Sequence, residues 1–316
     1  MRSRVLSFLV VMCLAVGPSA TGAGLSDAVE TVGPGTVNWT SGVVTATGLG
    51  APPESAVNRA QARAMAERAA YSVAVRNLLE AVKGIQVDSI SLVENYMVKS
   101  EAVRTRVSGL VKGAQKIKTE HQPDGGVEVT VGISLSGELL DAVIPKEFGR
   151  RGTTAVPAPQ APVAPRPAPP ASSSTPPPAP AAVPPAAQPE PAPSTGTGQA
   201  PPGETYTGLL VDARGLGLKP ALAPRLLDEQ GKELYAGEAL ARDQAVQAGV
   251  AGYAKDMIAG SRQQRVTDKP LIVKGVRASG NKATDIVLDG EGVKAIQQSE
   301  PSAHYLRQAR VVVVYD

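Results

Sequence analysis

Apolar and polar residues alternate without a break from residue 127 to 135: Val127, Val129, Val131, Ile133 and Leu135 are separated by Glu128, Thr130, Gly132 and Ser134. A period of two predicts a strand with one buried face, and slipping its pairing by one residue would expose all five aliphatics. Each is worth about 1.5–3 kcal/mol when buried. Upstream, Pro123-Asp124-Gly125-Gly126 is turn chemistry, so Leu110 to His121 predicts the partner strand of a hairpin that begins at Gly109. The β-branched run from Val37 to Thr47 predicts a third strand.

Between these strands the period becomes helical. Val57, Ala60, Ala64, Tyr71, Val75, Leu78 and Val82 predict the apolar face of a long helix, with Pro52, Pro53 and Glu54 before its first turn and Gly84 as its stop. Ala60, Ala62, Ala64, Ala66, Ala69 and Ala70 keep that helix slim, which lets a sheet or a second helix approach closely. Ile90 to Val107 predicts a second helix with Val93, Met97, Val103 and Val107 facing inward, and Glu138 to Val143 a short closing one. Residues 37–145 are thus expected to form an α+β domain of order β-α-α-β-β with a three-stranded antiparallel sheet.

Residues 204–316 predict a second α+β domain. Its strand candidates are Tyr206 to Ala213, a hairpin from Arg225 to Tyr235 around Asp228-Glu229-Gln230-Gly231, Leu271 to Ala278, Asp285 to Leu288, and Val311 to Tyr315. The last is apolar on both faces, as a central strand should be. With short helices over Arg242 to Ala248 and Gly292 to Gln298, a mixed sheet of four to six strands with few helices follows.

Composition changes the picture in two places. Residues 153–203 are almost entirely Pro, Ala, Ser, Thr, Gly and Gln, with eighteen prolines. Proline lacks the amide donor and fixes φ, so this stretch cannot build sheet or helix and favours extended polyproline II. It reads as a disordered, semi-rigid tether, more simply than as a ligand for proline-recognition modules, and it implies that the two domains fold as separate bodies.

At the other place, Arg2 and Arg4 precede the apolar run Val5 to Val16 and the small residues Gly17 to Ala23, the three-part pattern of an export signal. Cleavage is expected after Ala23, which defines residues 1–23 as the signal. A run of twelve residues, apolar but for Ser7, is too short to span about 30 Å of hydrocarbon. Cys13, the one cysteine, follows Met12 inside the apolar run, which argues against lipidation. Removal of Arg2 and Arg4 from 32 basic residues leaves 30 against 29 acidic, close to neutral. With aromatics at 3%, neither a basic stripe nor a stacking platform for nucleic acid is present.

Candidate chemistry is sparse. His121 and His304 have no second histidine or carboxylate at ligand spacing and no Gly-x-Ser-x-Gly elbow, so neither a zinc site nor a serine triad is expected. The string Val211-Asp212-Ala213-Arg214-Gly215-Leu216-Gly217-Leu218-Lys219-Pro220 invites a dinucleotide reading, but the third glycine is missing and Pro220 and Pro224 forbid the helix that would hold phosphate. Asp212, Arg214, Gly215, Gly217 and Lys219 are instead a candidate interaction loop, aimed at a partner or closing the domain. No cofactor is expected.

The first domain resembles the Lpp-twenty-type family of bacterial outer-membrane lipoproteins and, more distantly, the amino-terminal domain of the flagellar assembly protein T. The likeness rests on Arg76-Asn77-Leu78-Leu79-Glu80, on Val82-Lys83-Gly84-Ile85-Gln86-Val87-Asp88-Ser89, on Val107-Ser108-Gly109 and Val111-Lys112-Gly113, and on Asp124-Gly125-Gly126-Val127-Glu128-Val129-Thr130-Val131. The second domain looks like a region that accompanies this one in some deltaproteobacterial envelope proteins, and no activity comes with that likeness. The resemblance implies outer-membrane or flagellar association. The expectation is a non-enzymatic, periplasmic envelope protein of structural or assembly type, its tethered domains binding envelope partners such as outer-membrane or flagellar basal-body proteins. The alternative is a module that binds a small ligand or glycan at Asp212, Arg214 and Lys219.

Overall fold

Asn38 divides the single strand expected over Val37 to Thr47. Its side-chain oxygen accepts the amides of Thr40 (3.0 Å) and Ser41 (2.9 Å), and Gly42 takes a φ of +67°, where a side chain would be strained. The chain therefore turns back on itself. In the computed structural model, which describes residues 27–146, 148, 206–236, 239–299 and 304–316, a meander of β1 (Val29–Val32), β2 (Gly35–Asn38) and β3 (Val43–Gly50) results. The export signal at 1–23 and the Pro/Ala-rich stretch at 153–203 lie outside the described residues.

The long helix, α1 (Arg59–Lys83), is capped as its sequence suggests. Asn58 accepts the Gln61 amide at 2.9 Å, and Gly84 donates its own amide to Ala81 and Glu80 carbonyls. The buried face differs from the expected one. Ala66, Ala70, Ala74 and Leu78, four residues apart, are fully buried, whereas Ala60 and Ala64 are exposed and Val57 precedes the helix. The cause is the opposing strand. A Cβ on Gly48 would lie 2.3 Å from the Ala70 oxygen, and one on Gly50 2.0 Å from the Ala66 oxygen, so α1 and β3 meet almost backbone to backbone and only alanine fits between them.

The expected second helix is broken at Ser100 into α2 (Val93–Lys99) and α3 (Glu101–Lys112), because Ser100 is extended and caps α3 through the Val103 amide. Gly109 lies inside α3 and does not begin a hairpin; Gly113 ends the helix, and the strand β4 (Gln115–His121) starts later than expected. Its partner β5 (Val127–Ser134) buries Val127, Val129, Val131 and Ile133 as the alternation requires. The sheet is antiparallel in the order β1-β2-β3-β5-β4, which adds β1 and a divided strand to the three expected. Helix α4 (Glu138–Val143) closes this half.

The second half contains β6 (Gly208–Asp212), β7 (Leu226–Leu227), β8 (Glu233–Tyr235), α5 (Arg242–Ala248), β9 (Gly252–Ala254), α6 (Met257–Ser261), β10 (Pro270–Ser279), β11 (Asp285–Leu288), α7 (Gly290–Gln298), α8 (His304–Arg307) and β12 (Val311–Val314). They form a mixed, seven-stranded sheet in the order β8-β7-β11-β10-β6-β12-β9, in which β7 and β8 are the hairpin expected over Arg225 to Tyr235 and the short β9 is an edge strand beyond those expected. Strands β10, β6, β12 and β9 run parallel. As its apolar run demands, β12 is flanked on both sides and buried on both faces, with Val311 and Val313 in the main core and Val312 and Val314 in a second cluster with Ala259 of α6. Both halves of the described chain are therefore α+β.

The expectation of two separate bodies gives way at their junction. One hydrophobic core runs from Trp39 and Leu140 of the first half to Leu222 and Tyr253 of the second. The Trp39 and Tyr253 rings meet edge to face at 5.4 Å. Three main-chain bonds cross over: Leu222 and Ala223 amides donate to Gln86 (2.9 Å) and Val87 (2.8 Å) carbonyls, and Gly137 donates to Val246 (2.7 Å). Arg242 donates to both the side chain and the carbonyl of Asp141 at 2.7 Å. A proline-rich connection denies backbone pairing only to itself; it does not stop the segments it joins from packing.

Candidate functional site

The candidate loop leaves the carboxyl end of β6, beside the middle of β10 and the carboxyl end of β12. In sheets with parallel strands this is where ligands and partners are met. Asp212 ends β6, and Arg214 turns back on it: Nε donates to Oδ1 at 2.8 Å and Nη2 to Oδ2 at 2.7 Å. The hydrogen bond from Arg214 holds the Asp212 carboxyl below its ordinary range. A ligand for the Nε–Nη2 edge of Arg214 would have to displace that carboxylate first.

Gly215 and Gly217 both adopt positive φ, at +75° and +63°, so the chain reverses here at positions that suit glycine. The Gly215 amide donates to the side-chain carboxylate of Asp316. The Lys219 amide donates to Ala283 at 2.9 Å, in the turn between β10 and β11, while its side chain is exposed. Three residues later Leu222 and Ala223 bond to the first half. Of the five predicted residues, Asp212, Arg214 and Gly215 are brought together at the strand end; Gly217 and Lys219 lead away, and the loop they belong to is a strap between the halves.

What the sequence did not single out is the surface beside that strap. Ile272 and Val276 of β10 are 57% and 43% exposed. In register, Ile272 stands next to Leu210 and Lys274 next to Asp212. On the same face Leu210 is buried with Ala259 of α6. Helix α6 packs on β6, β9 and β12, leaving apolar side chains of β10 open beside the Asp212–Arg214 pair. Strand alternation over Leu271 to Ala278 carried this signal, since Ile272 and Val276 occupy the non-core parity.

Two further constellations sit at the junction. Asp285, 1% exposed, pairs with Arg225 at 2.6 Å, and Arg225 also donates to Ser89 Oγ of the first half at 3.1 Å. Arg265, in the segment between α6 and β10, lines a cleft of about 210 Å³ between the halves together with Trp39, Thr40, Ser136, Leu222 and Gln263. Sequence alone offered no signal for either, because each joins residues remote along the chain.

Residues 208–316 match the family model described as Treponema pallidum Tp0624, second domain. The match begins at the first residue of β6 and takes in the whole second sheet. No curated protein matches the chain. Among the described residues, no helix is long and apolar enough to cross a membrane.

The strand-end pair makes a modest pH prediction. A carboxyl held below its unfolded range adds stability above about pH 4 and loses it as pH falls through the folded value. Asp212→Asn should lower stability by less than about 1 kcal/mol near neutrality, because Arg214 is partly solvated. The difference from wild type should be smaller near pH 3 than near neutrality. Urea midpoints of both proteins at the two pH values check this.

Proposed function

We propose that this chain is a non-enzymatic, exported cell-envelope protein of structural or assembly type, which binds a protein partner in the periplasm through the outer face of its second sheet. The observation that carries this reading is the open stretch of β10, where Ile272 and Val276 are exposed beside charged Asp212, Arg214 and Lys274. Apolar side chains grouped within a polar rim are the usual anatomy of a binding surface. The junction supports the same reading, since a body locked by main-chain bonds presents that face in one orientation. The export pattern of residues 1–23 supports a periplasmic setting. The resemblance of residues 37–145 to Lpp-twenty-type lipoproteins and to the amino-terminal domain of flagellar assembly protein T supports outer-membrane or flagellar association as the finer expectation.

A photo-reactive amino acid placed at Ile272 in the native host tests the proposal, with Val57 as an exposed apolar control outside the surface. A discrete adduct with an envelope protein from position 272 and none from 57 is the expected result. Adducts from neither position, or the same adducts from both, would remove the surface from consideration.

A further inference from the structure

Arginine is always charged and rarely buried without a carboxylate, because a desolvated cation is costly unless an anion faces it. Arg265, half-buried, is held without one. Its Nη1 donates to the carbonyls of Gly249 (3.1 Å) and Ala309 (2.7 Å), and its Nη2 to that of Ala248. All three acceptors are neutral, and among the described residues no carboxylate lies within ion-pair distance of it. Burial pulls the guanidinium below its ordinary range. Of its five N–H donors, two remain without a protein acceptor among the described residues, Nε–H included.

Those donors adjoin the cleft between the halves. Gly252 lines it, and a Cβ there would lie 3.2 Å from Arg265 Nε and 2.7 Å from Gln263 Oε1. Glycine thus keeps the space in front of Nε open. The other polar side chains around the cleft are neutral: Thr40, Ser41, Ser136 and Gln263. Among the described residues, Arg265 is the one charged lining residue. Trp39, Leu140 and Leu222 supply an apolar wall. At about 210 Å³, the space is smaller than the roughly 300–1,000 Å³ of pockets that hold drug-sized molecules.

We propose that this cleft binds a small organic monoanion, its carboxylate held by Arg265 and its apolar part lying against Trp39 and Leu222. One charge calls for one opposite charge, and guanidinium donors match carboxylate geometry. The ligand touches both halves, so occupancy also reinforces the junction. This site is separate from the β10 surface, and the cross-linking result at Ile272 does not bear on it.

Trp39 is the chain's one tryptophan, so its emission reports occupancy directly. Titration of the mature protein with propionate at constant ionic strength should give a saturable change in emission. It should also raise Tm by about 2 °C or more at saturation. The neutral isostere propionamide should do neither. Equal responses to propionate and propionamide, a response to inorganic phosphate alone, or no response to propionate overturns the assignment.

Arg265→Gln should weaken propionate binding by about tenfold or more, the value of a charge-assisted bond. A folded Arg265→Gln protein with unchanged propionate affinity contradicts the proposal. Because Arg265 also holds three carbonyls, Gly252→Ala is the second variant, crowding Nε and Gln263 from within the cleft; it should lose affinity similarly. If neither variant folds, the propionate and propionamide titrations of the unaltered protein decide.

Discussion

Replacing Gly48 with valine is expected to destabilise the folded chain severely. The first atom of any side chain there would stand 2.3 Å from both the Ala70 oxygen and the Ala74 nitrogen. Both are main-chain atoms in the middle of a helix, so no rotamer change relieves the contact. Relief requires α1 to lift from β3 along much of its length, separating Ala66, Ala70 and Leu78 from Val44, Ala46 and Val129, all buried. Overpacking a flexible core costs about 1–3 kcal/mol; against rigid backbone the cost should exceed about 3 kcal/mol, a large part of the roughly 5–15 kcal/mol that holds a protein folded. Gly109→Ala is the contrasting case. Gly109 lies in α3 with open space where its Cβ would be, so alanine should stabilise by about 0.5–1 kcal/mol. Urea unfolding of the two variants should move in opposite directions, and a Gly48→Val protein as stable as wild type would refute the close approach of α1 to β3.

Trp39→Ala should cost about 3–5 kcal/mol, the range for removing a buried tryptophan. Trp39 is 5% exposed. Its ring meets Tyr253, and its Nε1 donates to Glu30 at 2.9 Å. Tyr253 is itself tied into the second half, accepting the Ala221 amide (2.9 Å) and donating to the Ala221 carbonyl (2.8 Å); burial pushes its phenol well above the ordinary range. Losing the indole therefore empties the place where the two sheets meet. The cost should appear as separation: unfolding that is single for wild type should split in the variant, with far-ultraviolet and calorimetric signals no longer coinciding. A variant that unfolds in one step close to the wild-type midpoint would show that Trp39 does not couple the halves.

The elements that were legible in the sequence are those whose pattern is local. The alternation from Val127 to Leu135, the glycine stop at Gly84, the helix from Arg242 to Ala248 and the doubly apolar β12 each follow from neighbours along the chain. Turn chemistry hidden in ordinary residues was less legible. Asn38 looks like a strand residue until its side chain caps Thr40 and Ser41, and Ser100 interrupts a helical pattern by capping the next helix. Least legible was everything set by distant partners. The face of α1 depends on Gly48 and Gly50. The role of the glycine loop depends on Gln86 and Val87, more than a hundred residues upstream, and Arg265 has no meaning in its own segment. Asp212 and Arg214 were found because they are two residues apart.

Amide hydrogen exchange on the protein tests most directly whether both sheets belong to one folded body. The amides of Leu222, Ala223 and Gly137, which bond from one half to the other, should exchange as slowly as those of β5 and β12 and open only with global unfolding. Fast exchange at these three, with the strands of both sheets still protected, would contradict it.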